Sequence, residues 1–301
     1  MANSIALIAK YLKALDMVYK YASKTAILDA APGDIRETDE ANVIKIAKIA
    51  LQGLGDYDRN TGYVSGDATL TWETHTFTQD RGRKFSIDTM DNIETATMAF
   101  GRLAGEFIRT KTCPEFDAYR MATYADGAGN SAAAALTTGA NVLAAIDVGT
   151  AAMDNAEVPE EGRLLFISVA MYNLLKAAPT LYRHIGNGND NTFTRDFDTF
   201  DNMRVVKMPS NRFYSAITQY DGSTEGEQAG GYIENGDTGQ DIDFQIIHPS
   251  AVLQVAKHNV SKIISPETNQ TADAWMYFFR AYHDAFVLDN KTDGIYLHTP
   301  A

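Results

Sequence analysis

Oxygen-bearing side chains alternate in one short segment, residues 56–62, which reads Asp-Tyr-Asp-Arg-Asn-Thr-Gly. Calcium-binding loops place oxygen ligands at alternate positions, so this spacing could hold a calcium ion. However, the glycine falls one position late, and Asp67 stands where such loops carry glutamate. Asp, Asn and Gly are also ordinary turn residues. A second cluster, Asp196, Asp198 and Asp201, is equally loose, and we expect both segments to be turns.

Two further positions carry reactive side chains. His283 and Asp284 are adjacent and could form a general base with its orienting carboxylate. One adjacent pair also fits a strand end that makes local hydrogen bonds, and we favour that interpretation. Cys113 directly precedes Pro114 and has no histidine nearby in the sequence. We expect this cysteine to be a small buried apolar residue.

The glycine-rich segments do not match a nucleotide-binding loop. No such segment ends in Gly-Lys-Ser or Gly-Lys-Thr, and residues 53–55 and 186–188 lack the third glycine of a dinucleotide site. Neither His-Glu-x-x-His nor Gly-x-Ser-x-Gly occurs. The sequence therefore predicts no catalytic residue, no cofactor and no metal, and we expect the protein not to be an enzyme.

The composition restricts the partners of the chain. Its 301 residues are 45% hydrophobic, which is enough for a sizeable core, and the formal net charge is −13. A protein that grips DNA tightly is usually basic, so tight nucleic-acid binding is not expected. Copies of so acidic a chain repel one another at long range, and self-assembly would need specific contacts. The single cysteine excludes an internal disulfide and suits a reducing cytoplasm.

The N-terminal residues show an amphipathic pattern. Apolar residues recur from Ile5 to Tyr19 in steps of three and four, which predicts a helix. Its polar face is poor in Lys and Arg, so packing on its own or a neighbouring subunit is favoured over a membrane surface. Because no run of about 18 apolar residues occurs, we expect no membrane span, and Lys10 and Lys13 argue against a secretory signal.

Residues 69–78 are rich in β-branched and aromatic residues and predict a strand. Residues 79–82, Gln-Asp-Arg-Gly, indicate a turn, and residues 83–87 are expected to return as the second strand of a hairpin. Such a hairpin has few large apolar side chains and is marginal in water by itself. Its support is expected to come from outside, and a neighbouring subunit is the natural candidate.

A long helix is predicted from about residue 92 to residue 124, with a kink at Pro114. At about 30 residues it would be roughly 45 Å long, which exceeds the needs of most globular domains. Small residues at 128–140 indicate a hinge, while residues 43–51 are apolar but fit either a strand or a helix. The remaining predicted elements are a helix at 140–155, a strand at 164–167, a helix at 171–178, a solvated loop at 221–241, a strand at 244–247, a helix begun by Pro249, an aromatic strand at 275–282 and a closing hairpin of 286–288 with 295–297.

The order of these elements, and several local motifs, resemble the major capsid proteins of tailed bacteriophages, which have the Hong Kong 97 capsid fold. The resemblance covers about residues 40–300, and each motif is only moderately specific. The motifs are Gly55–Arg59, Asp80–Phe85, Asp88–Asp91, Pro114–Arg120, Val158–Arg163 and Arg280–Phe286.

The resemblance implies an α+β fold with an N-terminal arm, an extended β-hairpin loop, a long spine helix, and peripheral and axial domains. The implied boundaries are 1–55 for the arm, 56–88 for the extended loop, 89–135 for the peripheral domain with its spine helix, 136–269 for the axial domain and 270–301 for the return strands of the peripheral domain. Only about 50 residues precede the predicted hairpin, so we expect a separate scaffolding protein or none.

The resemblance also implies a function. The chain would assemble with itself through hexamers and pentamers into a shell around double-stranded DNA, with portal and scaffolding proteins as partners, no sequence-specific DNA binding and no membrane. It would belong to the virion capsid and assemble in the host cytoplasm. The expected contact residues between subunits are Trp72, Phe77, Arg81, Arg83 and Lys84, although the charged members also fit a solvated hairpin face. Two alternatives are an encapsulin-like bacterial compartment shell and a metal-dependent hydrolase.

Overall fold

The computed structural model describes residues 23–29, 35–37, 42–90, 98–178 and 197–301, and strands account for much of this part. In chain order the strands are Ile35–Glu37 (β1), Val43–Leu51 (β2), Ala68–Thr76 (β3), Gln79–Asp88 (β4), Asn130–Ala133 (β5), Leu164–Ser168 (β6), Thr199–Phe200 (β7), Met203–Met208 (β8), Ile217–Gln219 (β9), Tyr232–Glu234 (β10), Phe244–Ile247 (β11), Val252–Ile264 (β12), Ala274–Val287 (β13) and Ile295–Thr299 (β14).

The helices of the described part begin with a long, interrupted one. In chain order they are Met98–Phe107 (α1), Cys113–Asp126 (α2), Gly139–Asn155 (α3) and Val169–Lys176 (α4). A π-helical turn, Ile108–Thr112, joins α1 to α2 immediately before Pro114. Proline has no N–H to donate, and the wider turn accommodates the missing hydrogen bond. Residues 98–126 together are called the spine helix below, and the predicted long helix with its interruption is confirmed over this range.

One sheet of six strands forms the larger layer of the protein. Its strand order is β5-β14-β11-β6-β8-β7. Most neighbours are antiparallel, whereas β5 with β14 and β6 with β8 are parallel. The strand predicted at 164–167 lies inside this sheet as β6, and all of its residues are buried. A continuous apolar run is the pattern of a strand that is covered on both faces.

Helices cover this sheet on both faces. Because alternate side chains of a strand point in opposite directions, neighbouring residues of one strand pack in different cores. Phe166 packs toward Met121 and Tyr124 of the spine helix. Leu165, its neighbour in β6, belongs to the other core, with Ile146 of α3 and residues of α4. The predicted helices at 140–155 and 171–178 are confirmed as α3 and α4, and they supply this second core.

A second sheet, with the order β12-β13-β4, lies against the first half of the spine helix. Odd-numbered residues of β13 face the helix, as the contact between Phe107 and Phe279 shows, with ring centroids 5.8 Å apart. Phe85 of β4 also meets Phe107, at 4.9 Å. Burial of such aromatic rings stabilises the packing of helix on sheet.

The spine helix also carries a buried carboxylate, that of Asp117. Ser23 donates its hydroxyl hydrogen bond to this carboxylate at 2.7 Å, and Thr25 does so at 2.8 Å. Arg212 forms an ion pair with it at 3.2 Å. Three separate segments of the chain therefore meet at one charge, which satisfies the requirement that a buried charge be paired.

The structure places one hairpin differently from the prediction. Of the strand predicted at 69–78, residues 69–76 do form β3, but β3 pairs with the preceding strand β2, with Ile49 opposite Leu70. Residues 79–82 are not a turn. They belong to β4, which pairs along its whole length with β13. The predicted hairpin of 69–78 with 83–87 is therefore wrong, and the observed hairpin runs from Val43 to Thr76, with its loop at residues 52–67.

Three other predictions also fail. Pro249 begins only a short 3-10 turn, Pro249–Ala251, and Val252 starts the long strand β12 in place of a helix. The strand β14 pairs with β11 and β5, so it forms no closing hairpin with residues 286–288. The small residues at 128–140 include strand β5 and are thus not simply a loose hinge.

The predicted loop at 221–241 is largely irregular, although it includes β10.

The predicted N-terminal helix at 5–19 and the glycines at 186–188 lie outside the described residues. Among the helices that are described, none is long and apolar enough to cross a membrane.

Candidate assembly interface

The β2–β3 hairpin is fixed to the rest of the chain at its base. Phe77 follows β3 and is only 5% exposed, in a cluster with Ile44, Leu253 and Phe286. Its ring lies 5.1 Å from that of Tyr282 and 5.7 Å from that of Phe286, measured between centroids. Phe77 therefore anchors the hairpin within its own chain. Its predicted contact with a neighbouring subunit is not supported, because the ring is already buried.

Beyond its base the hairpin exposes a row of apolar side chains on one face. The register places Ile49 opposite Leu70 and Ala47 opposite Trp72, so these residues point to the same side. Ile49 is 63% exposed, Leu51 74%, Leu70 57% and Trp72 42%. We call Ile49, Leu51, Leu70 and Trp72 the apolar stripe. Exposed apolar surface that is concentrated in this way marks an interaction site.

The loop at the end of the hairpin continues this exposure. Leu54, Tyr57, Tyr63 and Val64 are all largely exposed. Within the loop, Asp58 accepts hydrogen bonds from the backbone N–H groups of Asn60 and Thr61, at 2.6 and 3.3 Å. The expected turn is confirmed there. No group of three or more metal-ligating side chains occurs among the described residues, and Asp196 of the second acidic cluster lies outside them.

Two of the predicted contact residues have partners inside the chain. The Nε of Arg81 lies 2.6 Å from Glu115 of the spine helix, and its Nη1 donates to the carbonyl of Tyr220 at 2.9 Å. Arg83 donates to the carbonyl of Gln228 at 2.9 Å. Both arginines thus fasten the segment 220–231 to β4 and the spine helix. The sequence could not reveal the contacts with Tyr220 and Gln228, because these partners are more than 130 residues away.

Lys84 points the other way. Alternate residues of β4 face opposite sides of the sheet, so Lys84 lies on the face turned away from the spine helix, where it is exposed. Of the five predicted contact residues, Trp72 and Lys84 are accessible, whereas Phe77, Arg81 and Arg83 make contacts within the chain.

His283 lies in the middle of β13 and not at a strand end, so that part of the interpretation is wrong. The side chain is 1% exposed, and its ring centroid is 3.6 Å from that of Phe116. Burial, together with the nearby Arg120 and Arg81, lowers the pKa of His283 to about 3. Neither ring nitrogen has a hydrogen-bond partner among the described residues. A buried ring with so low a pKa is a poor proton acceptor at neutral pH.

The neighbouring Asp284 has a structural use. It accepts hydrogen bonds from the hydroxyl of Tyr119 at 2.6 Å and from the backbone N–H of Thr78 at 2.7 Å. It therefore ties the chain between β3 and β4 to the spine helix. Cys113 is fully buried, as expected, and burial raises the pKa of its thiol to about 12. A thiol with so high a pKa is a poor nucleophile at neutral pH.

Comparisons with known proteins rest on structure. No protein-family model matches the sequence, and no curated protein matches it either. The chain is similar to the capsid structure of cyanophage P-SCSP1u, with a TM-score of 0.62 and 12% sequence identity. The match covers 89% of this chain and 86% of that one. It is also similar to the mature capsid of bacteriophage PhiM1, with a TM-score of 0.61, 13% identity and coverage of 88% and 83%.

Two further structures extend the comparison. The head structure of Helicobacter pylori bacteriophage KHP40 matches with a TM-score of 0.60 at 13% identity, over 93% of this chain and 90% of that one. A virus-like particle from Pyrococcus furiosus matches with a TM-score of 0.54 at 12% identity, over 97% and 99%. Likeness at this level of identity establishes a shared fold. The chain has the mixed α+β fold of these phage capsid and head structures, which is the fold class expected from the sequence.

Proposed function

We propose that this chain is the major capsid protein of a tailed bacteriophage or prophage. It assembles through hexamers and pentamers into an icosahedral shell that encloses double-stranded DNA. The observation that carries the proposal is the apolar stripe: a projecting hairpin, on a chain with the capsid fold, that presents an apolar face to solvent. The proposed function of the chain is structural, and we assign no catalytic role to the chain.

The stripe needs a partner for an energetic reason. Burial of apolar surface is worth roughly 25 cal/mol per Å2, and covering the exposed part of each large side chain of the stripe contributes about 1–2 kcal/mol. In a free subunit these side chains stay in water. A second copy of the chain can cover them, and closed symmetry then repeats the same contact throughout the shell. Contacts that are modest individually become strong together.

The proposed assembly contacts include Trp72 of the stripe and the exposed Lys84. Phe77, Arg81 and Arg83 support the interface indirectly, because they hold the hairpin base and β4 in place. We retain the proposed division into a peripheral domain, built around the spine helix, and an axial domain, built around the six-stranded sheet.

Other partners follow from the proposed function. A portal protein and a scaffolding protein are proposed for initiation and closure of the shell, which would form in the host cytoplasm and end in the virion. The packaged DNA is enclosed without sequence-specific contact, which is consistent with a net charge of −13.

The encapsulin-like compartment is the second candidate within the same fold. The similarity to a virus-like particle from Pyrococcus furiosus supports it, but the similar structures include several phage capsids and heads, which favour a head protein. The metal-dependent hydrolase is not favoured, because the reactive side chains singled out in the sequence are buried, tied to neighbours or scattered.

The proposal is tested by removing the stripe without disturbing the fold. The double variant Ile49→Ser, Leu70→Ser should remain folded by circular dichroism but should lose the capacity to form shells or capsomers in sedimentation velocity. The matched control, Ala50→Ser with Thr69→Ser, changes the opposite face of the same strands and should assemble like the wild type. Equal assembly by the wild type and the stripe variant would refute the role of the stripe.

A further inference from the structure

The sheet β12-β13-β4 has one face that is only partly covered. The spine helix packs on one side, and the hairpin base covers part of the other, around Phe77. Farther along that second face the register aligns Lys262, Phe278 and Lys84 across the three strands. The next row contains Val260, which is 39% exposed, and Arg280, whose side chain is 62% exposed. We call these five residues the basic face.

The two lysines of the basic face have no local counter-charge among the described residues, although its arginine does. Arg280 pairs with Asp80 at 2.6 Å. Within the part of the chain that the structure describes, no ion pair joins Lys84 or Lys262 to a carboxylate, and both side chains are exposed. Two free lysines that flank a partly exposed phenylalanine are distinctive in a chain whose net charge is −13.

The same chain carries a segment of the opposite character. Residues 221–241 contain six acidic residues and neither lysine nor arginine. Glu225, Asp237 and Asp241 are exposed, and Ile233 of β10 is 50% exposed among them. We call residues 221–241 the acidic segment. It combines negative charge with one apolar side chain, just as the basic face combines positive charge with Phe278 and Val260.

The acidic segment is held so that these carboxylates remain outward. Arg81 donates to the backbone carbonyl of Gly231, and Arg83 donates to that of Gln228, so both bind the segment through its backbone and not through its acidic side chains. Asp221 is satisfied locally, because it accepts from the backbone N–H groups of Ser223 and Thr224. No ion pair joins Glu225 or Asp237 to a cation among the described residues.

The acidic segment cannot reach the basic face of its own chain. Arg81 and Arg83 fix it beside the helix-facing side of β4, whereas Lys84 projects from the opposite side. We propose that the basic face receives the acidic segment of a second copy of the chain, with Lys84 and Lys262 opposite Glu225 and Asp237, and Ile233 against Phe278. This contact rests on the proposed function, because it requires self-association.

Such a contact joins two different surfaces, so it is heterologous and propagates around a ring or along a lattice. It also offsets the long-range repulsion between acidic copies by local attraction, which accelerates and orients encounter. Two other occupants fit less well. The hairpin loop at 52–67 has only three acidic residues and one arginine, and a nucleic acid would meet the negative field of the whole chain.

A charge exchange tests the pairing. The variants Lys84→Glu, Lys262→Glu and Glu225→Lys, Asp237→Lys should each slow assembly, followed by light scattering at low salt, by roughly tenfold or more. The combined fourfold variant has the wild-type net charge and should recover to within about threefold of the wild-type rate, since the two surfaces again attract. The control variant Lys111→Glu, Lys291→Glu has the same net charge as Lys84→Glu, Lys262→Glu but keeps the basic face. It should assemble faster than either double variant.

The partner is identified by carbodiimide crosslinking of a mixture of isotopically light and heavy protein. Crosslinks between Lys84 or Lys262 of one copy and the acidic segment of another support the contact. The contact would be overturned by crosslinks to Asp56, Asp58 or Asp67 instead. It would also be overturned if the wild type bound a short DNA duplex and Lys84→Glu, Lys262→Glu abolished that binding. A fourfold variant that assembles as slowly as the double variants would overturn it as well. A wild type that stays monomeric even with its scaffolding partner would contradict the proposed function and this contact together, whereas unimpaired assembly of both double variants would contradict the contact alone.

Discussion

Replacement of His283 by leucine should make the folded chain more tolerant of acid. The histidine is buried between β13 and the spine helix, where its ring packs on Phe116. Leucine can occupy this apolar site without a titratable group. The charged groups around the ring are Arg81 of β4, Arg120 of the spine helix and the adjacent Asp284.

The sign and size follow from linkage. Burial lowers the pKa of His283 to about 3 in the folded chain, from an ordinary value of 6.5. The unfolded chain therefore takes up the proton first as the pH falls. The stabilisation is complete above pH 6.5 and is lost progressively toward pH 3. Between pH 7 and pH 5 the wild type should lose about 2 kcal/mol through this residue alone.

The assay is urea unfolding of the dissociated subunit at pH 7 and pH 5, followed by circular dichroism. The difference in the free energy of unfolding between the two pH values should be about 2 kcal/mol smaller for His283→Leu than for the wild type. Groups that titrate equally in both proteins cancel in this comparison. His258→Gln, which changes an exposed histidine of β12, should retain the loss seen in the wild type.

Identical pH dependence in the wild type and His283→Leu would refute the reasoning, because it would mean that His283 is protonated to the same extent in the folded and unfolded chains. If His283→Leu changes the free energy of unfolding by the same amount at pH 7 and at pH 5, the substitution affects packing only. That result would also contradict the prediction.

Three further outcomes are expected. Gly149→Ala should destabilise the chain by about 1–3 kcal/mol, because the added carbon would lie 2.8 Å from the Tyr296 ring, whereas Gly105→Ala, with nothing within 4 Å, should stabilise it by about 0.5–1 kcal/mol; thermal unfolding distinguishes the two signs. Asp117→Ala should cost about 3–5 kcal/mol in urea unfolding, since it leaves Arg212 without its buried partner; a loss below about 1 kcal/mol would contradict this. Tyr63→Ser should weaken assembly in sedimentation velocity but leave the melting temperature within about 2 °C; a melting temperature that falls in step with assembly would show that the residue serves the fold instead.

The sequence predicted elements well where local periodicity decides the structure. The helices α3 and α4 and the strand β6 appear near the expected residues, because their apolar spacing fits one element only. The long spine helix and its interruption at Pro114 were also predictable, since proline has a fixed local effect. The capsid fold itself was expected from a resemblance to a known family in element order and local motifs.

Strand pairing was the weakest part, because it depends on residues that are distant in sequence. Gly82 suggested a turn, but it lies inside β4, where a Cβ atom would approach the carbonyl oxygen of Phe279 at 2.9 Å. Glycine is needed there for close strand contact and not for a turn. Similarly, Ile295–Thr299 inserts between β5 and β11, a choice of partner that no local pattern encodes.

The candidate interface was only partly predictable. Trp72 and Lys84 were identified and are exposed, but Ile49, Leu51 and Leu70 were not. Residues 43–51 contain Lys45 and Lys48 at positions that interrupt strict alternation, so the strand and its apolar face could not be assigned. Burial of Phe77 depends on Leu253 and Phe286, which are more than 170 residues away.

The most direct test of the account is a cryo-electron microscopy reconstruction of the particles formed by the purified wild-type chain, with its scaffolding partner if one is required. We predict a closed shell with five- and six-subunit capsomers, in which Ile49, Leu51, Leu70 and Trp72 are buried against a neighbouring subunit. A chain that forms no ordered particle under any of these conditions, or a shell in which the apolar stripe remains in solvent, would contradict it.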